Sequence, residues 1–210
     1  MIAQLFAAAG VLALLTLVPG PDMAVVTRRS LTSGPADGYR TAGGIVAGLL
    51  VWGVLAVVGL AAVLAASAVA YTVVKVLGVL YLLYLGIQAL WNSRRSAPAA
   101  PVSEEAPSLR SGGGSAWRTG LTSNLLNPKI AVFYTGLLPS LAPSDLSVPL
   151  GLAILVALHL VMTMAWLSGY VYLVSRARSV FERPRVRRAM DRVTGVVLIA
   201  FGVRLATEGA

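Results

Sequence analysis

The sequence predicts an all-α membrane protein in which six transmembrane helices form two inverted three-helix repeats, with helices 1 and 4 interrupted. Of its 210 residues, 57% are hydrophobic and only 12% are charged, about half the charged share of an ordinary soluble domain. Lys75 is the only charged residue between residues 41 and 93, and there is none between residues 146 and 175. Runs of this length cross a bilayer as helices, because about 20 helical residues span its hydrocarbon core.

Six apolar spans fit these runs. Residues 41–74 as one helix would be about 50 Å long, which exceeds a single crossing, so we divide that run near Ser67. The first run has no basic residue before it, and Arg28 and Arg29 follow it. We therefore interpret it as a retained helix and not as a signal peptide. The predicted spans are residues 2–26, 42–66, 68–91, 119–141, 148–175 and 190–206.

The basic loops sort to one side of the membrane when there are six spans. Arginines occupy the first, third and fifth connections, whereas the second and fourth contain neither lysine nor arginine. The positive-inside rule then predicts a multi-pass protein of the bacterial inner membrane, with basic loops cytoplasmic and both termini outside. These loops account for the net charge of +9, so the expected partner is the lipid bilayer and not a nucleic acid.

The polar segment 93–116, rich in Ser, Pro, Ala and Gly, divides the chain as a cytoplasmic linker. A first three-helix repeat occupies residues 1–92 and a second occupies residues 117–210. A shift of 107 residues places Pro21-Asp22 on Pro128-Lys129. Because each half has an odd number of spans, the halves have opposite orientations. Inverted repeats with paired interrupted helices mark the substrate site of many secondary transporters, which favours transport as the function.

The first motif interrupts span one with Pro19, Gly20, Pro21 and Asp22. Two prolines remove backbone donors and prevent a continuous helix, so carbonyls before the break and amides after it become ligand groups. The alternative for the prolines is a simple kink, and the alternative for Asp22 is a helix cap. An acid beside a double proline favours a substrate-binding role, because ionisable residues within membranes are costly and usually functional.

The second motif interrupts span four with Asn124, Asn127, Pro128 and Lys129. Here too a proline begins a new half-helix, and the two amides before it can bind a polar ligand. Lys129 lies at the positive end of a helix dipole, which disfavours a cation, so we expect a partner, with Asp22 the obvious candidate. The pair is either a structural salt bridge or a site for a zwitterion, with its ammonium on Asp22 and its carboxylate on Lys129.

These two motifs resemble the hallmarks of the LysE/RhtB family of amino-acid exporters, and further matching segments cover nearly the whole chain in order. The resemblance implies export of amino acids or close derivatives from the cytoplasm by proton antiport, with Asp22 as the proton-coupling candidate. Basic, hydroxylated and branched-chain amino acids are all compatible substrates. The further matching segments are residues 38–48, 75–86 and 194–202.

Three other features leave alternatives open. Lys75 either extends toward the outer surface or joins the substrate site. His159 either hydrogen-bonds a neighbouring helix or transfers a proton. The glycine motif at residues 44–48 permits close packing, against a helix of the same chain or within a homodimer.

Other functions fit the sequence less well. The chain has no cysteine and one histidine, so we expect no metal site and no cofactor. A membrane hydrolase would need a nucleophile beside a base, and His159 has no convincing partner in the sequence, so we do not expect an enzyme. A non-transporting scaffold leaves the paired breaks unexplained. The remaining alternative is a transporter of another small solute or cation.

Overall fold

The computed structural model describes residues 2–66, separate residues between 73 and 91, residues 115–176 and residues 184–207, and all regular structure in these ranges is helical. Immediately after Val132 the chain forms a π turn (Phe133–Leu137) and a 3-10 turn (Pro139–Leu141). The described residues between 73 and 91 are also helical. The helices are α1 (Ile2–Leu17), α2 (Pro21–Ser33), α3 (Pro35–Ala66), α4 (Ala116–Leu125), α5 (Pro128–Val132), α6 (Val148–Arg176) and α7 (Pro184–Thr207).

The prediction of a helical membrane protein is confirmed. Among the described residues, Pro35–Gly59 and Val148–Arg176 are each long and apolar enough to cross a membrane. Helices α1 and α2 pass the same test as a pair, although they meet at an angle of 50°, which makes up to three crossings in the described part of the chain. The number of six spans and their inverted repeat stay predictions.

The helices extend beyond the predicted spans on their polar sides. Helix α2 continues to Ser33, and α3 already begins at Pro35, so a single residue, Gly34, joins them. Gly34 has φ of 90°, a conformation that glycine adopts without the cost that a Cβ would impose. Helix α7 likewise begins at Pro184, before the predicted residue 190. Hydropathy marks only the part of a helix suited to lipid, and these extensions carry arginines.

Helix α6 packs against α1, α2 and α3. Two apolar clusters form around it: one joins α1, α3 and the π turn to α6, and the other joins α2 and α3 to α6. On the outer face of α3, the apolar side chains of Leu50, Val54 and Val58 recur at helical spacing and are exposed. This arrangement suits a helix with one face on protein and the other on lipid.

The glycine motif of α3 packs against α4 within the same chain. An added Cβ at Gly44 would collide with the backbone carbonyl of Trp117, and one at Gly120 would collide with that of Thr41. A Cβ at Gly48 would come within 2.6 Å of the Asn124 side chain. Of the two alternatives for this motif, the structure therefore shows the contact inside the chain. At this close approach Asn124 is buried.

Candidate functional site at two interlocked helix breaks

The first break lies where α1 ends at Leu17 and α2 begins at Pro21. The carbonyl of Leu15 would normally accept a hydrogen bond from the amide four residues later, but that residue is Pro19 and has no N–H. Gly20 is extended and provides no side-chain cap for α2. The prolines therefore leave carbonyl oxygens at the end of α1 in need of other partners.

The second break separates α4 from α5 and is capped locally. Leu126 and Asn127 lie outside the helices, and the Asn127 side chain accepts a hydrogen bond from the Lys129 amide at 3.1 Å. Pro128 occupies the first position of α5, where its missing N–H costs nothing. An asparagine cap before a proline thus restarts this helix from its own sequence.

The two breaks are joined by hydrogen bonds from each to the other. The carboxylate of Asp22 accepts bonds from Ser123 Oγ at 2.9 Å, Asn124 Nδ2 at 2.8 Å and Asn127 Nδ2 at 3.0 Å. All three donors belong to the second break. Asp22 is partly buried, whereas Asn124 and Asn127 are buried. The predicted acid and the predicted amides therefore form one cluster.

Lys129 makes the reciprocal contact. Its Nζ donates to the carbonyl oxygens of Val18 at 3.1 Å and Leu15 at 3.4 Å. The side chain thus leaves the unfavourable N-terminus of α5 and reaches the C-terminal end of α1, where helix carbonyls favour a cation. Of the two alternatives for this pair, the structural salt bridge between Asp22 and Lys129 is not formed. Each charge instead binds the uncharged polar groups of the opposite break, and Lys129 is only 7% exposed.

Gly20 provides the space for this contact, since a Cβ there would lie 3.3 Å from Lys129 Nζ. Pro19, Gly20 and Pro21 thus shape the first break. Lys75, the remaining predicted site residue, lies outside the described residues.

A small cavity of about 30 Å³ adjoins the interlocked breaks. Such a volume holds one or two water molecules, so an amino acid would need the cavity to widen. Besides the charges of Asp22 and Lys129, its polar lining comes from Asn124, the backbone of the first break, residues of α6, and Thr16, whose hydroxyl donates to the Leu12 carbonyl. Its apolar lining includes Leu15, Val18, Met23, Ile45, Leu49, Ile130 and Leu167.

Helix α6 contributes three polar side chains to the cavity: His159, Thr163 and Trp166. Sequence reasoning left His159 open and missed the other two. The spacing of His159, Thr163 and Trp166 places all three on one face of α6. This polar face is the sequence feature that could have indicated the side of α6 that lines the cavity.

His159 has a partner on a neighbouring segment. Its Nδ1 lies 2.9 Å from the Tyr134 hydroxyl, and the two rings stack with centroids 5.7 Å apart. Tyr134 belongs to the π turn, a helix irregularity that is frequent at functional sites. Of the two alternatives for His159, the hydrogen bond to a neighbour is present, and proton transfer stays a prediction.

Comparison with known proteins gives a family match. The family model described as LysE type translocator matches residues 13–209. The threonine efflux protein of Escherichia coli K12 is 31% identical over 198 residues, covering 89% of each chain. The leucine efflux protein of Klebsiella pneumoniae is 29% identical over 195 residues, covering 91% of this chain and 89% of its own.

An uncharacterised membrane protein of Bacillus subtilis is 27% identical over 196 residues, covering 91% of this chain and 93% of its own. No solved structure matches the chain.

Proposed function

Because the chain belongs to the LysE type translocator family, we propose that it is a secondary transporter exporting amino acids or close derivatives from the cytoplasm by proton antiport. Proteins of this family are membrane transport proteins and not enzymes. Relatives that carry the names of leucine and threonine efflux proteins support an amino acid as the substrate class. The proposed location is the bacterial inner membrane, with basic loops cytoplasmic and both termini outside.

The proposed architecture is six spans in two inverted repeats, 1–92 and 117–210, joined by the linker 93–116. Helix packing is in part compatible with this proposal. Helix α1 packs against α6, the predicted fifth span, and α4 packs against α3, the predicted second span, as a two-fold relation between the halves would produce. Helix α2 departs from this pattern, because it packs against both α3 and α6.

The interlocked breaks are the observation that carries the proposed function. The donors around Asp22 occupy the place that a substrate ammonium would take, and the carbonyls around Lys129 occupy the place that a substrate carboxylate would take. We infer that an amino acid inserts between them, with its ammonium on Asp22 and its carboxylate on Lys129. Binding would then exchange bonds between the breaks for bonds to the substrate, and separate the two halves.

Proton antiport follows if proton and ammonium compete for one carboxylate. Among the described residues that line the cavity, Asp22 is the only acid. Protonation would remove its charge and so weaken its hold on a substrate ammonium, because a charged acceptor binds about twice as strongly as a neutral one. Substrate and proton would then bind Asp22 alternately and never together, and this mutual exclusion is what couples the two fluxes in an exchanger.

Efflux from preloaded proteoliposomes tests this function, with a panel of amino acids and an imposed proton gradient. The decisive variant is Asp22→Asn, which preserves shape but removes the charge, and we expect it to abolish gradient-driven efflux. Asp37→Asn is the matched control, because Asp37 also lies in the first turn of a helix. It does not line the cavity and forms an ion pair with Arg40, with 2.8 Å between Oδ1 and Nη1. We expect this control to transport like the wild type.

Two results would contradict the proposal. If inserted wild-type protein moves no amino acid faster than empty liposomes, amino-acid export is wrong. If Asp22→Asn transports normally and retains its response to the proton gradient, the assigned coupling residue is wrong.

A further inference from the structure

Three buried polar atoms at the cavity have no hydrogen-bond partner in the described part of the chain. Thr163 Oγ1, Trp166 Nε1 and Asn124 Oδ1 are all buried, and none has a hydrogen bond in the described part of the chain. All three residues line the cavity. Buried polar groups in proteins are almost always paired, since an unpaired one loses its hydration without compensation. Their clustering at one cavity therefore points to a ligand that carries polar groups.

The charges of the cavity limit what that ligand can be. Asp22 and Lys129 are the only charged side chains among the described lining residues, and the proposed function assigns both to the ammonium and carboxylate common to all amino acids. Much of the remaining wall is apolar, with Leu49, Ile130 and Leu167 among its side chains. These described residues leave no ionic partner for a charged substrate side chain, and burying an unpaired charge is strongly unfavourable.

Resting on the proposed function, we propose that Thr163 and Trp166 are specificity-determining residues that hydrogen-bond a polar group on the side chain of a neutral amino acid. A hydroxyl beside an indole N–H can hold a substrate hydroxyl, with the indole donating to it and the threonine accepting from it. The proposal excludes lysine, arginine, aspartate and glutamate, because their side-chain charges have no further ionic partner among the described residues that line the cavity.

The position of Trp166 supports this role. Its ring stacks on Tyr170 with centroids 6.2 Å apart, and the Tyr170 hydroxyl lies 2.9 Å from Thr27 Oγ1 on α2. The indole thus packs on a neighbour in α6 that is itself anchored to α2. A rigid donor discriminates between substrates better than a mobile one, because less ordering is needed on binding.

The test compares efflux of threonine with efflux of valine, two substrates that differ by a hydroxyl in place of a methyl. The proteoliposomes contain wild type, Thr163→Val, Thr163→Ser or Trp166→Phe. We expect wild type to prefer threonine, and Thr163→Val to lower the threonine-to-valine ratio about fivefold to tenfold, as expected for one neutral hydrogen bond. Thr163→Ser keeps the hydroxyl and should restore the ratio, while Trp166→Phe should lower it.

Trp52→Phe is the matched control for the tryptophan. Trp52 Nε1 is also buried without a hydrogen bond in the described part of the chain, but Trp52 does not line the cavity. Its removal should leave the ratio at the wild-type value.

Three outcomes would overturn the inference. A ratio that is the same in wild type, Thr163→Val and Trp166→Phe would show that these residues do not select the substrate. Efflux of lysine or arginine faster than efflux of threonine and valine would show that the cavity accepts a charged side chain. Both of these results leave amino-acid export intact. Absence of efflux for every amino acid in wild type would instead overturn the proposed function and this inference together.

Discussion

The two helix breaks share a proline next to an ionisable residue, yet the unpaired backbone groups at each break find hydrogen-bond partners in different ways. The second break is capped by its own Asn127. The first has no side-chain cap at Gly20, and its carbonyls are bound by Lys129 of the other half. The first break therefore presents acceptors and depends on its partner, while the second presents donors and restarts its helix independently.

Under the proposed function, this difference would distinguish the two ends of a zwitterionic substrate. Acceptors together with the Asp22 carboxylate suit an ammonium, whereas amide donors together with the Lys129 ammonium suit a carboxylate. Two identical breaks would offer the same groups twice. In the proposed repeat, Pro21 matches Pro128, whereas the residues that follow them, Asp22 and Lys129, carry opposite charges. The proposed site therefore has two distinct poles, one at Asp22 and one at Lys129.

Beyond Asp22→Asn, the largest expected effect comes from removing Lys129, whose ammonium binds the carbonyls of the first break. Lys129→Met should reduce efflux about 100-fold or more, because truncating one member of a buried charged arrangement typically costs this much in binding. It also leaves the Leu15 and Val18 carbonyls without the donor seen here. Initial efflux rates, normalised to the amount of inserted protein, measure the loss.

Arg118→Met is the control for loss of a cation, since Arg118 is an exposed residue of α4 outside the cavity. It should transport like wild type. If Lys129→Met retained a tenth or more of the wild-type rate, the result would contradict the proposal that the first break depends on the second.

An intermediate effect is expected at the cap of the second break. Asn127→Ala removes both the cap on the Lys129 amide and the donor to Asp22. It should lower the free energy of unfolding by about 1 kcal/mol, the usual contribution of a helix cap, and also slow efflux. Thermal unfolding in detergent micelles and efflux rates measure the two effects separately.

Asn127→Ser separates these two roles, because serine caps a helix well but is shorter than asparagine and loses the reach to Asp22. We expect its stability to match wild type while its efflux stays as slow as that of Asn127→Ala. Equal stability of the alanine and serine variants would show that the second break does not rely on its own cap.

The sequence was sufficient to locate the breaks because their cause is local. Pro19, Pro21 and Pro128 lack the N–H that a continuing helix requires, whatever the surroundings. The partners of Asp22 and Lys129 were beyond sequence reasoning, since they depend on the register of helices about a hundred residues apart. Opposite charges suggested a direct pair, but buried charges are better satisfied when hydrogen bonds surround each of them, as Asn124 and the α1 carbonyls do here.

The α6 side of the cavity was missed for a different reason. Thr163 and Trp166 lie in a long uncharged run, where hydropathy gives the same signal for residues facing lipid and residues facing the protein. Only their spacing from His159 distinguishes this face, and spacing cannot show which element packs against it. The π turn that brings Tyr134 to His159 has no sequence signal of comparable strength.

The smallest expected effect tests the close approach between the breaks without removing any polar group. Gly20 is extended, with φ of −160° and ψ of −170°, a conformation that alanine also adopts, so Gly20→Ala introduces no backbone strain. The new methyl would lie 3.3 Å from Lys129 Nζ and would displace it by a few tenths of an ångström. We expect efflux to fall about threefold, since transport depends on the placement of this ammonium, while thermal stability is retained or slightly raised by the stiffer unfolded chain.

Gly10→Ala is the control, because nothing lies within 4 Å of a Cβ at that position of α1, and it should transport at the wild-type rate. Equal efflux from both variants would mean that transport tolerates a displaced Lys129 ammonium. The charge of Lys129 would then be more important for transport than its contact with the first break.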